Sequence, residues 1–309
     1  MLRALLLALS RARWAQRLVT GWGVARRVAL RFVAGEREEE AIEVIRSLNA
    51  KGITATVDIL GESIAEEAEA RQAAERYLSL IDHIHRMGLE SWVSVKLSAL
   101  GLDIDPALCR ESMRRILSRA HECGMFITID MEDHRYTQRT LDLFHALREE
   151  DGFDNVRAVI QAYLYRSDED IARLVAGGAG VRLCKGAYKE PPTIAYPKKR
   201  QVDEAYLRLM KVLLDAAKEG RGYPGLATHD ERIIEAARAY AAEHDIPRDR
   251  FEFQMLYGVR RALQERLVRE GYRVRVYVPF GEQWYPYFMR RLAERPANLW
   301  FFVSNFFRK

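Results

Sequence analysis

Short hydrophobic runs rich in β-branched residues alternate with longer amphipathic stretches from about residue 53 onward. The predicted strands span residues 53–60, 91–97, 125–131, 156–164, 180–186, 225–230, 251–257 and 274–280. The clearest helices between them span residues 62–87, 106–122, 137–149, 202–219 and 231–244. Strands that alternate with helices in this way pair in parallel through right-handed crossovers.

Eight strand–helix units in a chain of 309 residues match the size of a (βα)8 barrel. A doubly wound open sheet is the alternative. The sequence disfavours it because neither G-x-G-x-x-G nor G-x-x-x-x-G-K-[ST] follows a predicted strand. We therefore predict an α/β fold in which a TIM-like barrel over residues 49–309 follows a helical arm over residues 1–48.

The predicted arm carries most of the positive charge of the chain. Its first 35 residues contain seven arginines and no acidic residue, whereas the net charge of the whole chain is +5. The remainder is mildly acidic, which argues against a general nucleic-acid-binding surface. Three roles for the arm stay open: packing on its own domain or a partner subunit, binding anionic lipid, or targeting to an organelle before cleavage.

The composition narrows the class of protein. An apolar fraction of 49% supports a large core, and a charged fraction of 30% is ordinary for a soluble protein. The three cysteines, Cys109, Cys123 and Cys184, are predicted to be free thiols in a reducing compartment, because they are odd in number and unclustered. His229 has no His or Cys companion at ligand spacing, so no metal site is predicted. No apolar run reaches the roughly 18 residues that span a bilayer.

Polar side chains cluster where the predicted strands end. They are Lys96, Asp130, Glu132, Gln161, Arg182, Lys185, Thr228, His229, Asp230, Gln254 and Tyr277. The strand ends of a parallel barrel converge on one face, so these residues are predicted to build one pocket. For each residue taken singly, a buried polar group satisfied by a neighbour is the simpler interpretation. The set is rich in positive groups and lacks a convincing nucleophile, which suits an anionic cofactor and a small carboxylate better than covalent hydrolysis.

Pairings within this pocket can also be anticipated. Lys96 and Asp130 lie at the ends of adjacent strands and are predicted to pair. Lys185 is followed by two small residues, which let backbone N–H groups approach a phosphate or a flat ring closely. Thr228 and His229 are candidate donors to phosphate oxygens.

The helix after the last strand carries Tyr287, Arg290, Arg291 and Glu294 at helical spacing. A guanidinium presents a planar fork of donors that matches carboxylate geometry, so the adjacent arginines are predicted to grip a small carboxylate. A solvated helix laced with ion pairs is the alternative interpretation, since charge runs usually mark an exposed face.

Six motifs together resemble the proline dehydrogenase family. They are SVKLSAL (94–100), ITIDMED (127–133), VRLCKGAYKEP (181–191), ATHD (227–230), FEFQMLYG (251–258) and YVPFGEQWYPYFMRRLAERPAN (277–298). The resemblance covers about residues 40–305 and follows the family's order. It implies a distorted (βα)8 barrel that holds FAD at the carboxyl ends of its strands, in agreement with the unit count.

The resemblance also implies roles for individual residues. Arg290, Arg291 and Lys96 would bind the proline carboxylate, and Tyr287 would stack on the pyrrolidine ring. Glu294 would orient an arginine, and Asp130 would pair with Lys96. Arg182 would sit near flavin N5, where negative charge develops. Substrate would also contact Leu183 and Tyr277, whereas the implied FAD contacts are Met131, Gln161, Arg182, Lys185, Gly186, Ala187, Thr228, His229, Gln254 and Leu256.

The implied reaction is oxidation of L-proline to Δ1-pyrroline-5-carboxylate by hydride transfer to flavin, the first step of proline catabolism to glutamate. A monofunctional enzyme is expected because the chain lacks an aldehyde dehydrogenase domain. Electrons would pass to membrane quinone. The expected location is cytoplasmic and peripheral on the inner face of the cell membrane, helped by the basic arm and the aromatic segment 298–307. An oligomer is possible, and no nucleic acid is expected.

Two departures and two alternatives accompany this resemblance. Cys184 stands where the family often has an aliphatic residue, and Asp230 stands where asparagine is common. The negative charge of Asp230 disfavours its contact with FAD phosphates. Another cyclic imino acid, such as hydroxyproline or pipecolate, is one alternative for the substrate. A non-catalytic flavin-binding scaffold is the other alternative, and the arginine pair argues against it.

Overall fold

The computed structural model describes residues 29–61 and 64–294, without the side chains of 293 and 294. Its eight parallel strands form a closed barrel in sequence order, β1 to β8, with β8 paired to β1. The strands are β1 (Thr54–Ile59), β2 (Ser91–Val95), β3 (Ile127–Ile129), β4 (Val156–Gln161), β5 (Gly180–Cys184), β6 (Gly225–Ala227), β7 (Glu252–Leu256) and β8 (Arg273–Phe280). The predicted TIM-like barrel is confirmed, and all eight predicted strands are present.

Helices follow the strands around the outside of the barrel. They are α1 (Glu38–Asn49), α2 (Glu67–Arg86), α3 (Pro106–Glu122), α4 (His134–His145), α5 (Ser167–Ala176), α6 (Lys199–Lys218), α7 (Glu231–Glu243), α8 (Arg261–Arg269) and α9 (Trp284–Glu294). Local sequence sets several of their starts. Asp105 caps α3 by accepting the Ala107 N–H at 2.8 Å, with Pro106 in the first turn. No described helix is long and apolar enough to cross a bilayer.

The hydrophobic core lies between the barrel and the helices. Alternate strand residues such as Val57, Val93 and Ile127 point outward and are fully buried. Helices α2 and α3 present apolar residues at helical spacing to the same layer, which includes Leu80 and Ile116. The other strand face points into the barrel and carries mostly polar side chains, so the interior is where chemistry can occur.

Part of the predicted arm joins the barrel. Helix α1 packs against β1 and β8, and its residues Ala41, Ile42 and Ile45 belong to the main core. Residues 29–33 pack in a second apolar cluster with α9. Residues 1–28 and the aromatic segment 298–307 lie outside the described residues, so the division of the chain at residue 48 stays a prediction.

Gly258 is expected to be essential for packing this second cluster. Its φ is +76°, and a Cβ there would lie 1.6 Å from the Arg31 carbonyl oxygen. Gly258→Ala should lower the free energy of unfolding by about 3 kcal/mol, from the left-handed backbone and the overpacking together. Urea denaturation measures the loss.

Gly124→Ala is the matched control, because Gly124 has a φ of +67° and a Cβ there would have no neighbour within 4 Å. This variant should lose only the backbone cost of about 1 kcal/mol. Equal losses for the two variants would mean that the contact with Arg31 gives way without cost.

Candidate active site

A cavity of about 730 Å³ opens at the carboxyl ends of the barrel strands. Its walls come from all eight strand ends, the loop after β5 and helix α9. The predicted residues that line it are Lys96, Asp130, Met131, Gln161, Arg182, Lys185, Gly186, Ala187, Thr228, His229, Asp230, Gln254, Leu256, Tyr277, Tyr287, Arg290 and Arg291. The structure thus brings together side chains that are spread over nearly 200 residues of sequence.

Arg182 is the centre of a hydrogen-bond network inside the barrel. Its Nη1 donates to Asp130 Oδ1 at 2.6 Å and to Ser94 Oγ at 3.2 Å. Its Nε donates to Gln254 Oε1 at 2.6 Å. The guanidinium carbon lies 5.4 Å from the ring centroid of Tyr277, whose hydroxyl donates to Asp130 Oδ2 at 2.6 Å. Side chains from β2, β7 and β8 and the residue after β3 therefore hold this guanidinium in one orientation.

Lys96 pairs mainly with Asp58, a residue that the sequence analysis missed. The Lys96 Nζ lies 2.7 Å from Asp58 Oδ1 and 3.8 Å from Asp130 Oδ2. The predicted Lys96–Asp130 pair is thus the weaker of two contacts. The alternation of side chains along β1 could have identified Asp58, because it follows Thr54 and Thr56 on the strand face that points into the barrel.

Burial shifts the pKa values of two residues in this network, Asp58 and Tyr277. It raises the pKa of Asp58, although the nearby Lys96 charge acts in the opposite direction. Burial, reinforced by the negative charge of Asp130, also raises the pKa of Tyr277 well above its usual value. Tyr277 therefore stays protonated at neutral pH and serves as a hydrogen-bond donor to Asp130.

The loop after β5 lines one side of the cavity, and its backbone packs closely against a neighbouring aromatic ring. Gly186 has a φ of +107°, and a Cβ there would lie 2.4 Å from the Tyr163 ring. Only glycine fits this conformation and this close approach. Lys185 Nζ lies 2.5 Å from Asp203 Oδ1 and 2.9 Å from Asp230 Oδ2, so two carboxylates balance its charge.

The residues after β6 serve the start of helix α7 as well as the cavity. Asp230 caps the helix by accepting the Arg232 N–H at 3.2 Å, and its own N–H donates to Thr228 Oγ1 at 3.1 Å. His229 Nε2 accepts the Leu256 N–H at 2.9 Å, which places the proton of a neutral imidazole on Nδ1. Asp230 is thus a capping residue whose charge is shared with Lys185.

Helix α9 forms the wall of the cavity that faces the strand ends. Tyr287 is buried, whereas Arg290 and Arg291 are half-buried, and all three line the cavity. The Arg291 guanidinium carbon lies 5.1 Å from the Tyr287 ring centroid. This face of α9 is therefore part of the cavity wall, unlike the fully solvated helix of the alternative interpretation. The side chain of Glu294 lies outside the described residues, so its role stays a prediction.

Leu183 corrects one prediction. It is fully buried in the outer core, and its carbonyl accepts the Tyr206 hydroxyl of α6 at 3.1 Å. Successive strand residues point to opposite faces, so Arg182 and Cys184 line the cavity whereas Leu183 faces the helices. Leu183 therefore does not contact substrate in this cavity.

Comparisons with known proteins agree with this geometry. The model of the family described as proline dehydrogenase matches residues 41–303. Proline dehydrogenase 1 of Bacillus subtilis is 43% identical over 309 residues, which cover 100% of both chains. Proline dehydrogenase of Deinococcus radiodurans is 46% identical over 281 residues, which cover 90% of this chain and 89% of the relative.

A solved structure shares the fold. Proline utilization A (PutA) from Bdellovibrio bacteriovorus, inactivated by N-propargylglycine, superposes with a TM-score of 0.82 at 30% identity. The match covers 87% of this chain but only 33% of that one. The relatives from Bacillus subtilis and Deinococcus radiodurans match this chain over 100% and 89% of their own lengths. The chain belongs to the proline dehydrogenase family.

Proposed function

We propose that this protein oxidises L-proline to Δ1-pyrroline-5-carboxylate with FAD as its hydride acceptor. One observation carries the proposal: Arg290 and Arg291 of α9 share a cavity with the fixed guanidinium of Arg182. The first two suit a small carboxylate, and the third suits a group that gains negative charge. A cavity of about 730 Å³ has room for a substrate of proline's size and a flat cofactor ring.

The residues present fit FAD. Gln161 Oε1 and Arg182 Nη2 are buried and have no hydrogen-bond partner among the described residues, so they can serve polar edges of a flavin ring. Met131, Val159, Ala227 and Leu256 supply apolar wall in the same cavity. Gly186 keeps the strand-5 loop free of side-chain bulk. The backbone N–H groups of residues 185–187 and the hydroxyl of Thr228 suit phosphate, as proposed from the sequence.

Oxidation of a secondary amine to an imine removes a hydride from carbon and a proton from nitrogen. Bound FAD would supply the hydride acceptor. Arg290 and Arg291 would hold the substrate carboxylate, with Lys96 as a third positive group whose charge Asp58 balances. Tyr287 would cover the ring of the substrate.

Arg182 would provide fixed positive charge for the negative charge that develops during hydride transfer. Asp130 and Gln254 hold its guanidinium, so little reorganisation accompanies the reaction. Tyr277 keeps its proton and orients Asp130, and it is therefore not the base.

The decisive experiment is an absorbance spectrum of the purified protein, recorded before and after anaerobic L-proline. A flavin spectrum that proline bleaches would support the cofactor, the substrate and the hydride transfer together. A flavin spectrum that does not respond to proline would redirect the search to other cyclic imino acids. A protein that binds no flavin after FAD addition would overturn the cofactor assignment.

Tyr287→Ser should improve the use of hydroxyproline relative to proline by about tenfold in kcat/KM. The buried Tyr287 ring crowds the cavity, and its removal makes room for a projecting hydroxyl group. Steady-state kinetics with both substrates measures the ratio. Tyr240→Ser, on the outer face of α7 where Tyr240 bonds to Asp215, is the control and should leave the ratio unchanged. An unaltered ratio in Tyr287→Ser would remove this residue from the substrate contacts.

The proposed electron acceptor is membrane quinone, and the proposed location is the inner face of the cell membrane. Family resemblance and the seven arginines in the first 35 residues support both proposals. Co-sedimentation with anionic vesicles should be lost when residues 1–28 are deleted. Equal and negligible binding by the two proteins would refute membrane association.

A further inference from the structure

A second charged layer lies inside the barrel, on the side of Arg182 away from the proposed substrate. It consists of Glu252 on β7, Arg275 on β8 and Arg157 on β4, which are 1%, 5% and 1% exposed. Arg275 Nε lies 2.8 Å from Glu252 Oε1, and Arg157 Nη1 lies 3.9 Å from the same oxygen. A buried charged cluster is expensive to maintain, so its presence in the barrel core calls for a physical role.

The surroundings hold this layer rigidly. Arg275 Nη1 donates to the Ala55 carbonyl at 2.7 Å, and its guanidinium lies 3.4 Å from the ring centroid of Trp92. Arg157 Nη2 donates to the Tyr223 carbonyl at 2.7 Å. Burial would raise the pKa of Glu252, but the charges of Arg275 and Arg157 outweigh it and hold the pKa below its usual value. Glu252 is therefore a permanent carboxylate at neutral pH.

Gln254 links this layer to the active site. Its Nε2 donates to Glu252 Oε1 at 2.6 Å, and its Oε1 accepts from Arg182 Nε at 2.6 Å. An ionised carboxylate only accepts hydrogen bonds, and a guanidinium only donates them. The two partners therefore permit one orientation of the Gln254 amide. In the flipped orientation, each end of the amide would face a group of its own kind.

The close packing leaves the amide little freedom to move. A Cβ on Gly225 of the neighbouring strand β6 would lie 2.3 Å from Gln254 Nε2, so the amide passes directly over this glycine. The chain of contacts then continues from Arg182 to Asp130 and Tyr277. Charge-assisted hydrogen bonds thus run without interruption from the second charged layer to the cavity wall.

We propose that Glu252 is a positioning residue for the reaction: it fixes the Gln254 amide, which in turn fixes the guanidinium of Arg182 toward the cavity. Arg275 and Arg157 compensate the charge that this function requires in the barrel core. Glu252 itself does not line the active-site cavity and touches no substrate. The expected effect on kcat rests on the proposed function. The effect of Glu252 on the orientation of Gln254 and Arg182 does not depend on it.

Glu252→Gln keeps the shape of the side chain and removes its charge, so Gln254 Nε2 loses its charge-assisted acceptor and the amide is held mainly by Arg182. The expected result is a fall in kcat for proline of about tenfold, close to what the loss of one hydrogen bond to a charged group costs. The KM for proline should stay unchanged, because the carboxylate contacts belong to α9. A rise in KM with unchanged kcat would overturn the proposal.

A double-mutant cycle separates positioning from a merely structural role. Gln254→Met cuts the link, so Glu252→Gln should have no further effect on kcat in that background. Effects that multiply instead would show that Glu252 acts by another route and would overturn the proposal. Asp151→Asn is the control: this carboxylate is only 10% exposed and pairs with Arg110 of α3 at 2.9 Å, outside the barrel, so kcat should hold.

A crystal structure of flavin-free Glu252→Gln gives a readout that does not depend on activity. The expected change is a displaced Gln254 side chain, with Arg182 displaced from its 2.6 Å contact with Asp130. Unmoved Gln254 and Arg182 side chains would overturn the positioning role. A wild-type protein that fails to oxidise proline would refute the proposed function, and this structure would still decide whether Glu252 sets the orientation of Arg182.

Discussion

Arg291→Met is expected to raise the KM for proline by about a hundredfold, with a much smaller change in kcat. Arg291 lines the cavity beside Tyr287 and Arg290, on the wall opposite the barrel floor. Loss of one partner from a desolvated charge pair costs about 2–5 kcal/mol. Each ~1.4 kcal/mol is a factor of ten in affinity. Methionine keeps the apolar stem and removes the fork of donors, so the loss reports on carboxylate binding alone. Steady-state kinetics with L-proline measures both constants.

Arg269→Met is the matched control, since Arg269 lies exposed in the last turn of α8 and does not line the cavity. This variant should keep wild-type kinetics. Arg290→Met should resemble Arg291→Met if both guanidinium groups hold the carboxylate. Proline kinetics that are unchanged in both active-site variants would refute the carboxylate clamp.

The barrel could be predicted from the sequence because its signal is local. Each strand is a short β-branched run, and the order of strands follows from right-handed crossovers between neighbours. The ends of the strands were less predictable where the chain leaves the sheet to begin a helix. The run 225–230 was predicted as one strand, yet β6 ends at Ala227. The next three residues turn out of the sheet because Asp230 must cap helix α7.

The site could be predicted only in part. Polar residues at strand ends are easy to recognise in the sequence, whereas polar residues inside the strands that point into the barrel are not. Lys96, Asp130 and Arg182 were found at strand ends. Asp58 was missed because it lies inside the run VDIL, where a single carboxylate reads as an interruption. Its choice as partner of Lys96 depends on barrel closure and register: β2 lies between β1 and β3, and sequence alone cannot say which neighbour supplies the nearer carboxylate.

The charged residues inside the barrel were also not predicted, and again the reason is that their contacts depend on how the strands are arranged in space. Arg157, Glu252 and Arg275 lie near the beginnings of their strands, whereas the predicted pocket residues lie near the strand ends. Their strands are β4, β7 and β8, so Arg157 approaches Glu252 across the barrel interior, whereas Arg275 and Glu252 lie on neighbouring strands. Period-two alternation predicts that each faces inward, but only closure of the barrel brings the three charges together.

Arg182→Met is expected to lower kcat by about two to three orders of magnitude, the range for removal of one preorganised group that stabilises developing charge. The KM for proline should change far less, because Arg182 bonds to Asp130, Ser94 and Gln254, whereas the substrate carboxylate is assigned to the arginines of α9. Rapid anaerobic mixing with proline measures the rate of flavin bleaching directly and separates hydride transfer from later steps.

Folding must be controlled in this experiment, because removal of Arg182 leaves the Asp130 carboxylate partly buried with Tyr277 as its nearest donor. Breaking one side of such a pair costs about 3–5 kcal/mol of stability. Flavin content and thermal unfolding therefore accompany each rate. Arg182→Lys retains the positive charge but cannot reach Asp130 and Gln254 together, so an intermediate rate is expected from a better-folded protein. If Arg182→Met binds flavin, folds and bleaches at the wild-type rate, the charge that assists hydride transfer comes from elsewhere in the cavity, and Lys96 becomes the next candidate.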